Sequence, residues 1–354
     1  CGMYQGKGME TDAANKELGF DPKDIHYLLL SHAHIDHSGL IPYIYSRGFR
    51  GKIFCTPATR DLCELMLQDT AFIQEQDVKW YNKKMARQHK PKIKPLFDSN
   101  HAQQVMKHFR CVDYNTPYRI DDEIEFQFIN SGHMLGSAIV CLTIKEHGEV
   151  KRIAYTGDVG RLHSHILSSP QAFPQCDYLI CESTYGDRLH DDELVSEEQL
   201  LGVVEETCMY KKGKLLIPSF SVGRTQEIVY VLNELYNDGR LERVPVYVDS
   251  PLSANATEIF RRHADTLNEQ VRDTMRYDAD PFGFNTLHYI TDVQQSKALN
   301  KSEQPCIVIS SSGMLEAGRI KHHVSNHIDN PTTTILIVGY CTPTSLGARI
   351  QDPT

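Results

Sequence analysis

Ser31-His32-Ala33-His34-Ile35-Asp36-His37-Ser38-Gly39 is the stretch around which the rest of the chain is read. It follows a short apolar run, Ile25-His26-Tyr27-Leu28-Leu29-Leu30, expected to be a buried strand. His32 and His34 lie two apart on extended chain, so both rings point to one side. Asp36 and His37 come at the turn into an apolar-periodic helix near 38–47 that ends at Gly48, where the chain folds back over the same spot. Imidazole suits Zn, Fe or Mn, and a carboxylate adds a hard, charge-balancing oxygen. Four donors of mixed type within six residues suit two adjacent metals better than one. A His-rich surface loop is the bland alternative, and the buried strand leading into the motif speaks against it.

Two more candidates lie further along. His133 stands in Ser131-Gly132-His133-Met134-Leu135-Gly136-Ser137, and Asp158 in Tyr155-Thr156-Gly157-Asp158-Val159. Glycine beside each lets backbone approach a ligand closely. Alone, each would be a loop histidine or a turn aspartate; company with the first motif makes them candidate ligands. They are set among expected strands at 52–55, 124–129, 138–144 and 151–156, with loops at 130–137 and 157–170. Thr56-Pro57 opens a helix through about Leu67, and residues 70–95 read as a second helix ending at Pro91–Pro95.

After Glu182 the pattern changes. An acidic loop (Asp187, Asp191, Asp192, Glu193) leads to Ser196-Glu197-Glu198-Gln199, a capping-box spacing that starts a helix ending at Lys211-Lys212-Gly213. Three strand–loop–helix units follow, 214–217 into 224–238, 245–249 into 253–264 and 306–310 into 315–328, then a strand at 333–338. That alternation signals a parallel sheet with helices on its faces. The fold class is α/β, with a first domain over 1–186 and a second over 187–345.

The spacing His32-x-His34-x-Asp36-His37, then His133, then Asp158, resembles the metallo-β-lactamase superfamily. Glu182-Ser183-Thr184-Tyr185-Gly186 before an α/β insert is similar to its beta-CASP branch of nucleic-acid nucleases. So are Lys214–Glu227, containing Pro218-Ser219-Phe220-Ser221-Val222-Gly223-Arg224, and Ser310-Ser311-Ser312-Gly313. The resemblance covers nearly the whole chain and implies an αββα sandwich with an inserted beta-CASP domain. It implies two Zn²⁺: His32, His34 and His133 on one, Asp36 and His37 on the other, and Asp158 bridging. It implies hydrolysis of an RNA phosphodiester, endonucleolytic and also 5′-to-3′ exonucleolytic, with Asp36, Asp158 and Glu182 catalytic. Glu182 matches an acidic residue paired, in the family, with a histidine that protonates the leaving oxygen.

The resemblance also places a return to the first domain from residue 346 to 354, two further histidines beyond Thr354, and an Asp and opening strands before Cys1. The chain is therefore expected to be a fragment, weakly active at best as it stands. Asp24, His26 or backbone carbonyls are the candidates for orienting the ligating rings. His322, His323 and His327 match no family motif and are expected to be helix-surface or packing residues.

Loops at the C-terminal ends of parallel strands are where α/β sheets bind ligands. That makes Ser219, Ser221 and Arg224, then Asp249, Ser250 and Ser253, then Ser310, Ser311, Ser312 and Gly313 candidate substrate contacts. Serine also caps helices with no ligand present. Residues 78–97 carry seven cations, Lys79, Lys83, Lys84, Arg87, Lys90, Lys92 and Lys94, with no Asp or Glu and with Trp80, Tyr81 and His89 interleaved. A solvated helix face or an RNA-tracking surface would each use such a run.

The chain has 354 residues and a formal charge of −9, which becomes −16 once residues 78–97 are set aside. That balance excludes a protein that simply coats nucleic acid, but not a metal-dependent nuclease. No apolar run is long enough for a membrane span. Ten cysteines without a C-x-x-C pair are expected to be small buried hydrophobes in a reducing cytoplasm. RNA is the expected partner, no membrane is, and a homodimer is compatible. The rival readings are a DNA-processing nuclease of the same branch, a non-catalytic scaffold subunit with decayed ligands, and a small-molecule hydrolase. All six observable ligand positions are filled, against the scaffold, and the large insert has no role in a small-molecule hydrolase.

Overall fold

The computed structural model describes residues 1–4, 9–88, 91–187, 196–241 and 244–352, with residues 9–12 as backbone only. Contacts divide the chain into two compact units, Cys1–His163 with Leu167–Thr184, and Ser164–Ile166 with Tyr185–Thr354.

The first unit holds two sheets. Strands β1 (Tyr27–Leu29), β2 (Lys52–Cys55) and β3 (Phe109–Cys111) form a parallel sheet in that order. Strands β4 (Tyr118–Arg119), β5 (Ile124–Asn130), β6 (Ala138–Glu146), β7 (Glu149–Tyr155) and β8 (Tyr178–Ile180) form the other, antiparallel until β8 joins β7 in parallel. Phe126 and Phe128 are two apart on β5, so they leave the same face. They pack with Phe54 of β2, Val112, Ala138 and Val140 in one buried cluster. The Phe54 and Phe126 rings lie 5.2 Å apart, tilted by 56°. Each such ring stabilises the sandwich by roughly 1.5–3 kcal/mol through burial.

Among the described residues of 57–95, expected as two helices, there is a single helix, Pro57–Ala86, of 30 residues. Thr56 caps it, accepting from the Thr59 N–H at 3.3 Å. The polar run Gln68-Asp69-Thr70 interrupts the apolar period, but neither Gly nor Pro occurs from residue 58 to 90, so nothing ends the helix there. Beyond Ala71 none of its residues is buried. A short helix Ser99–Val105, capped by Asp98, was not foreseen.

The second unit is built on an all-parallel sheet. Its strands are β9 (Lys214–Pro218), β10 (Val246–Val248), β11 (Leu287–Tyr289), β12 (Cys306–Ser310) and β13 (Thr334–Ile335), in spatial order β11-β10-β12-β9-β13. β9 and β12, in the middle, are buried at every position, hence their apolar runs Leu215–Pro218 and Cys306–Ile309. Helices Arg224–Asn237, Pro251–Arg262 and Ile320–His327 follow β9, β10 and β12. Ser196 and Gln199 form the expected capping box. β11 and helices Glu269–Thr274 and Val293–Lys301 were not foreseen. Helix Leu346–Gln351, in the segment expected to begin the return to the first domain, packs in this unit, with Leu346 and Ile350 against the buried cluster that includes Leu216, Val308 and Leu315. Asp191, Asp192 and Glu193 of the acidic loop lie outside the described residues.

Half the cysteines are buried as expected: Cys55, Cys63, Cys208, Cys306 and Cys341. Cys1, Cys111 and Cys181 are exposed, and Cys141 and Cys176 half-buried. Among the described residues no helix is long and apolar enough to cross a membrane.

One buried cation bears on acid stability. Lys214 Nζ donates to the Leu299 carbonyl at 2.8 Å and reaches His327 Nε2 at 3.2 Å. Burial, then Lys214 and His323, lower the His327 pKa below the ordinary histidine range. The folded state thus resists a proton that the unfolded chain takes up as pH falls through about 6.5, and stability drops in that direction. The urea midpoint is expected to fall from pH 7 to pH 5, and to fall less in His327→Gln. Equal declines in the two proteins would remove this pair from the explanation.

Candidate metal centre

β1 delivers its chain end into the site. The Leu30 N–H donates to the Phe54 carbonyl at 2.9 Å and the Ala138 N–H to the Ser31 carbonyl at 2.8 Å, so residues 30–31 stay extended between the two sheets. A four-residue helix, Ile35–Ser38, then turns the chain. Ser38 Oγ donates to the carbonyls of Ala33 (2.8 Å) and His34 (3.0 Å), closing the turn that brings Asp36 and His37 back toward His32 and His34.

His133 is held by the β5–β6 loop. Ser137 Oγ accepts from the N–H groups of His133 and Met134, each at 3.1 Å. Gly136 has φ +83°, and a Cβ there would lie 2.5 Å from the Thr59 nitrogen. Its carbonyl accepts from Thr56 Oγ1 (2.6 Å) and Thr59 Oγ1 (2.8 Å), which pins the loop to the start of the long helix. Asp158 follows β7 through Gly157, whose φ of +54° favours glycine; a Cβ there would meet Ser31 Cβ at 2.8 Å.

These elements bring all six sequence candidates into two donor groups. His32, His34, His133 and Asp158 form one, Asp36, His37 and Asp158 the other, with the ligand atoms in each within 4.8 Å of one another. Asp158 divides its oxygens between the groups. Oδ2 lies 3.7 Å from His32 Nε2 and 3.3 Å from His133 Nε2, while Oδ1 lies 3.2 Å from His37 Nε2. His37 Nε2 is also 3.7 Å from Asp36 Oδ2.

The donor set fits a metal on three counts. His32 Nε2 is buried and has no hydrogen-bond partner, though it faces the cluster; such an orphan is costly unless something accepts its lone pair. His34 Nδ1 and His133 Nε2 are 3.1 Å apart, close to the edge of about 3.3 Å expected of a tetrahedral zinc shell with Zn–N near 2.05 Å. The protonation pattern is the third. Burial, then the neighbouring imidazoles, hold His32 down to about 2; burial, then His133, hold His34 down to about 4. Burial also lowers His133. These rings are therefore neutral, with lone pairs free for a cation. Burial works to raise Asp158, but the His37 hydrogen bond, with the imidazoles set around the carboxylate, holds it below the usual carboxylate range. His37 moves up, Asp158 outweighing burial.

Ser31 escaped the sequence as a supporting residue, and Glu182, singled out there as catalytic, makes contacts the sequence did not foresee. Ser31 Oγ lies 3.1 Å from His32 Nδ1, doing what had been expected of Asp24, His26 or a backbone carbonyl. A hydroxyl immediately before the first histidine was the available signal. Glu182, at the end of β8, accepts the Val159 N–H at 2.6 Å and so grips the residue after Asp158. The Glu182 N–H in turn donates to Thr156 Oγ1 at 3.3 Å.

The second unit gathers a separate set of hydroxyls. Ser250 Oγ stands 3.3 Å from both Ser221 Oγ and Ser311 Oγ, linking the loops after β9, β10 and β12. Ser312 Oγ accepts the Ala317 N–H at 3.1 Å. Other candidates are engaged inside the domain. Ser219 is buried, and so is Ser253, whose N–H donates to Ser250 Oγ at 3.2 Å. Ser310 is buried and donates to the Asp249 carbonyl at 2.7 Å. Gly313 packs against Phe220, whose ring a Cβ would meet at 3.2 Å. Arg224 pairs with Glu227 at 2.6 Å. Asp249, a candidate contact in the sequence, is fully buried and bonded to Ser296 Oγ (2.5 Å), Arg319 Nη1 (2.6 Å) and His323 Nε2 (2.7 Å). His323, taken for a helix-surface or packing residue, is buried as its partner.

Residues 7–201 match the family model described as Metallo-beta-lactamase superfamily, and residues 225–350 match the Beta-Casp domain. The chain is 34% identical over 351 residues to Ribonuclease TTHA0252 of Thermus thermophilus, covering 99% of this chain and 75% of that one. It is 31% identical over 335 residues to an RNase J-like protein of Methanocaldococcus jannaschii, covering 94% and 70%. It is 32% identical over 339 residues to Transcription termination factor FttA of the same organism, covering 94% of this chain but only 50% of that protein. With its six candidate ligands gathered around Asp158 and both family models matched, the chain belongs to the metallo-β-lactamase superfamily and, within it, to the beta-CASP branch of RNA-processing nucleases.

Proposed function

We propose that the protein is a cytoplasmic ribonuclease that hydrolyses RNA phosphodiester bonds with two zinc ions. His32, His34, His133 and Asp158 would hold one, and Asp36, His37 and Asp158 the other. The sharing of Asp158 between two donor groups carries this reading. The bound ions would supply Lewis acidity at the phosphoryl oxygens and lower the pKa of a water from 15.7 toward about 7.

The chain's own residues do the rest. Ser31 fixes which nitrogen of His32 faces the cluster. Glu182 holds the loop that carries Asp158, so both Asp158 oxygens keep their aim. Ser221 and Ser311, joined through Ser250, and Ser312 offer hydroxyls to phosphate; Arg224 would have to leave Glu227 to do the same. The family and a relative named a ribonuclease support RNA as substrate. Cleavage is proposed to be endonucleolytic, with 5′-to-3′ exonucleolytic trimming as a further mode.

The full-length gene product should contain two zinc ions per chain by mass spectrometry and should cleave 5′-labelled RNA to products bearing a 5′ phosphate. Preference for DNA of the same sequence would transfer the assignment to a DNA-processing nuclease. Stoichiometric zinc without cleavage of either polymer would sink it.

A further inference from the structure

The outer half of helix Pro57–Ala86 plays no part in the metal centre. At 100° per residue, its positions from 72 onward fall mainly on two faces, with exposed Asp77, Tyr81 and Ala86 between them. One carries Gln74, Glu75, Val78, Asn82 and Met85, all half-buried. A returning segment lies along that face: Asn82 exchanges two hydrogen bonds with the Ile93 backbone, each at 2.9 Å, and Glu75 accepts the Ser99 N–H at 2.8 Å. The other face, an arc of about 140°, carries Phe72, Ile73, Gln76, Lys79, Trp80, Lys83, Lys84 and Arg87, every one exposed. Trp80 is 65% exposed, and Lys84 Nζ stands 5.0 Å from its ring centroid. Lys92 and Lys94 of the returning segment are exposed too, and His89 and Lys90 lie outside the described residues.

We propose that this solvent face, through Lys79, Trp80, Lys83, Lys84 and Arg87, is a track for single-stranded RNA, with phosphates against the cations and a base against the indole. Charge complementarity selects the occupant. Residues 78–97 hold seven cations and no acid, while the remainder of the chain carries −16, so a polyanion is repelled by most of the surface and held here. Lysines along a groove or helix with an exposed aromatic among them are how non-specific single-strand binders work, since every base has a π-face. A membrane-seated helix would need an unbroken apolar face; here Gln76, Lys79 and Lys83 stand between Phe72, Ile73 and Trp80.

The inference rests on RNA being the substrate, and the test separates the two. A variant with Lys79, Lys83, Lys84 and Arg87 all changed to Gln is compared with one in which exposed Lys23, Lys107, Lys145 and Lys321 become Gln, removing equal charge elsewhere. Binding of the metal-loaded proteins to a labelled 30-nucleotide RNA is followed by anisotropy from 50 to 300 mM salt. The first variant should bind about tenfold or more weakly and lose about 3 from the slope of log K against log salt, at roughly 0.7 per phosphate contact. The control should change little, and both should keep wild-type zinc content. Trp80→Ala should weaken binding by roughly 5- to 150-fold with little change in slope. Equal losses in the two fourfold variants, or no loss in the first, would overturn the track while leaving the ribonuclease assignment intact. No RNA binding by the unaltered protein would overturn both. Binding to phosphatidylserine vesicles that depends on these side chains, with RNA affinity unmoved, would reassign the face to a membrane surface.

Discussion

Asp158→Ala should lower RNA cleavage by on the order of 10³-fold and strip metal from both positions, whereas Asp36→Ala should empty one. The difference follows from how the carboxylates are placed. Asp158 presents Oδ2 to His32 and His133 and Oδ1 to His37, so one substitution removes a donor from each group. Asp36 belongs to a single group. Asp158 is also the carboxylate that balances charge in the more buried group, where the other three donors are neutral imidazoles. Asp158→Asn keeps the shape and most hydrogen bonds but not the charge, and should resemble Ala in activity. Glu182→Gln should be milder, since an amide oxygen can still accept the Val159 N–H. Zinc content near two per chain together with near-normal cleavage in Asp158→Ala would rule out the shared-ligand arrangement.

Most of the metal cluster was legible because its donors are local. His32, His34, Asp36 and His37 occupy one turn after one strand, and the geometry of that turn follows from strand and helix periodicity alone. His133 and Asp158 became legible only beside them, each flagged by a glycine whose backbone geometry the loop requires. The parallel sheet of the second unit was legible for another reason: β9 and β12 are buried on both faces and so are apolar over Leu215–Pro218 and Cys306–Ile309. Edge strand β11 is three residues, none fully buried, and gives no periodic signal.

What the sequence hid is long-range. Asp249 stands at a strand end next to Ser250-Pro251, where a ligand contact and a buried strut read alike. Its partners lie 47, 70 and 74 residues away at Ser296, Arg319 and His323. His323 sits on a helix with exposed His322 and half-buried His327, and only tertiary packing decides which of the three turns inward. The Pro57–Ala86 helix was read as two because the polar run Gln68-Asp69-Thr70 interrupts the apolar period, although no Gly or Pro breaks the chain there.

Asp249→Ala should destabilise the second unit by roughly 3–5 kcal/mol, the range for removing one partner of a buried ion pair. The carboxylate is fully buried and takes three side-chain hydrogen bonds, from Ser296, Arg319 and His323. Burial works to raise its pKa, but the His323, Ser296 and Arg319 bonds hold it below the ordinary carboxylate range, so it is ionised in the folded protein. Its removal leaves the Arg319 guanidinium, 19% exposed, with only the Ile290 and Thr291 carbonyls, and takes the carboxylate from the buried His323 ring. Breaking the pair is therefore far costlier than replacing it. A triple variant, Asp249→Leu with Arg319→Met and His323→Leu, should recover much of the loss, because no charge is then stranded. Hydrogen exchange in β10 and β12 reads this locally, since Asp249 donates its N–H to the Ile309 carbonyl and accepts from Ser310 Oγ. The same variants bear on function. Ser250 follows Asp249 and links Ser221 to Ser311, so loosening Asp249 should raise KM for RNA more than it lowers kcat. If the triple variant is as unstable as Asp249→Ala, the penalty lies in lost packing, and the network is a strut whose charge is incidental.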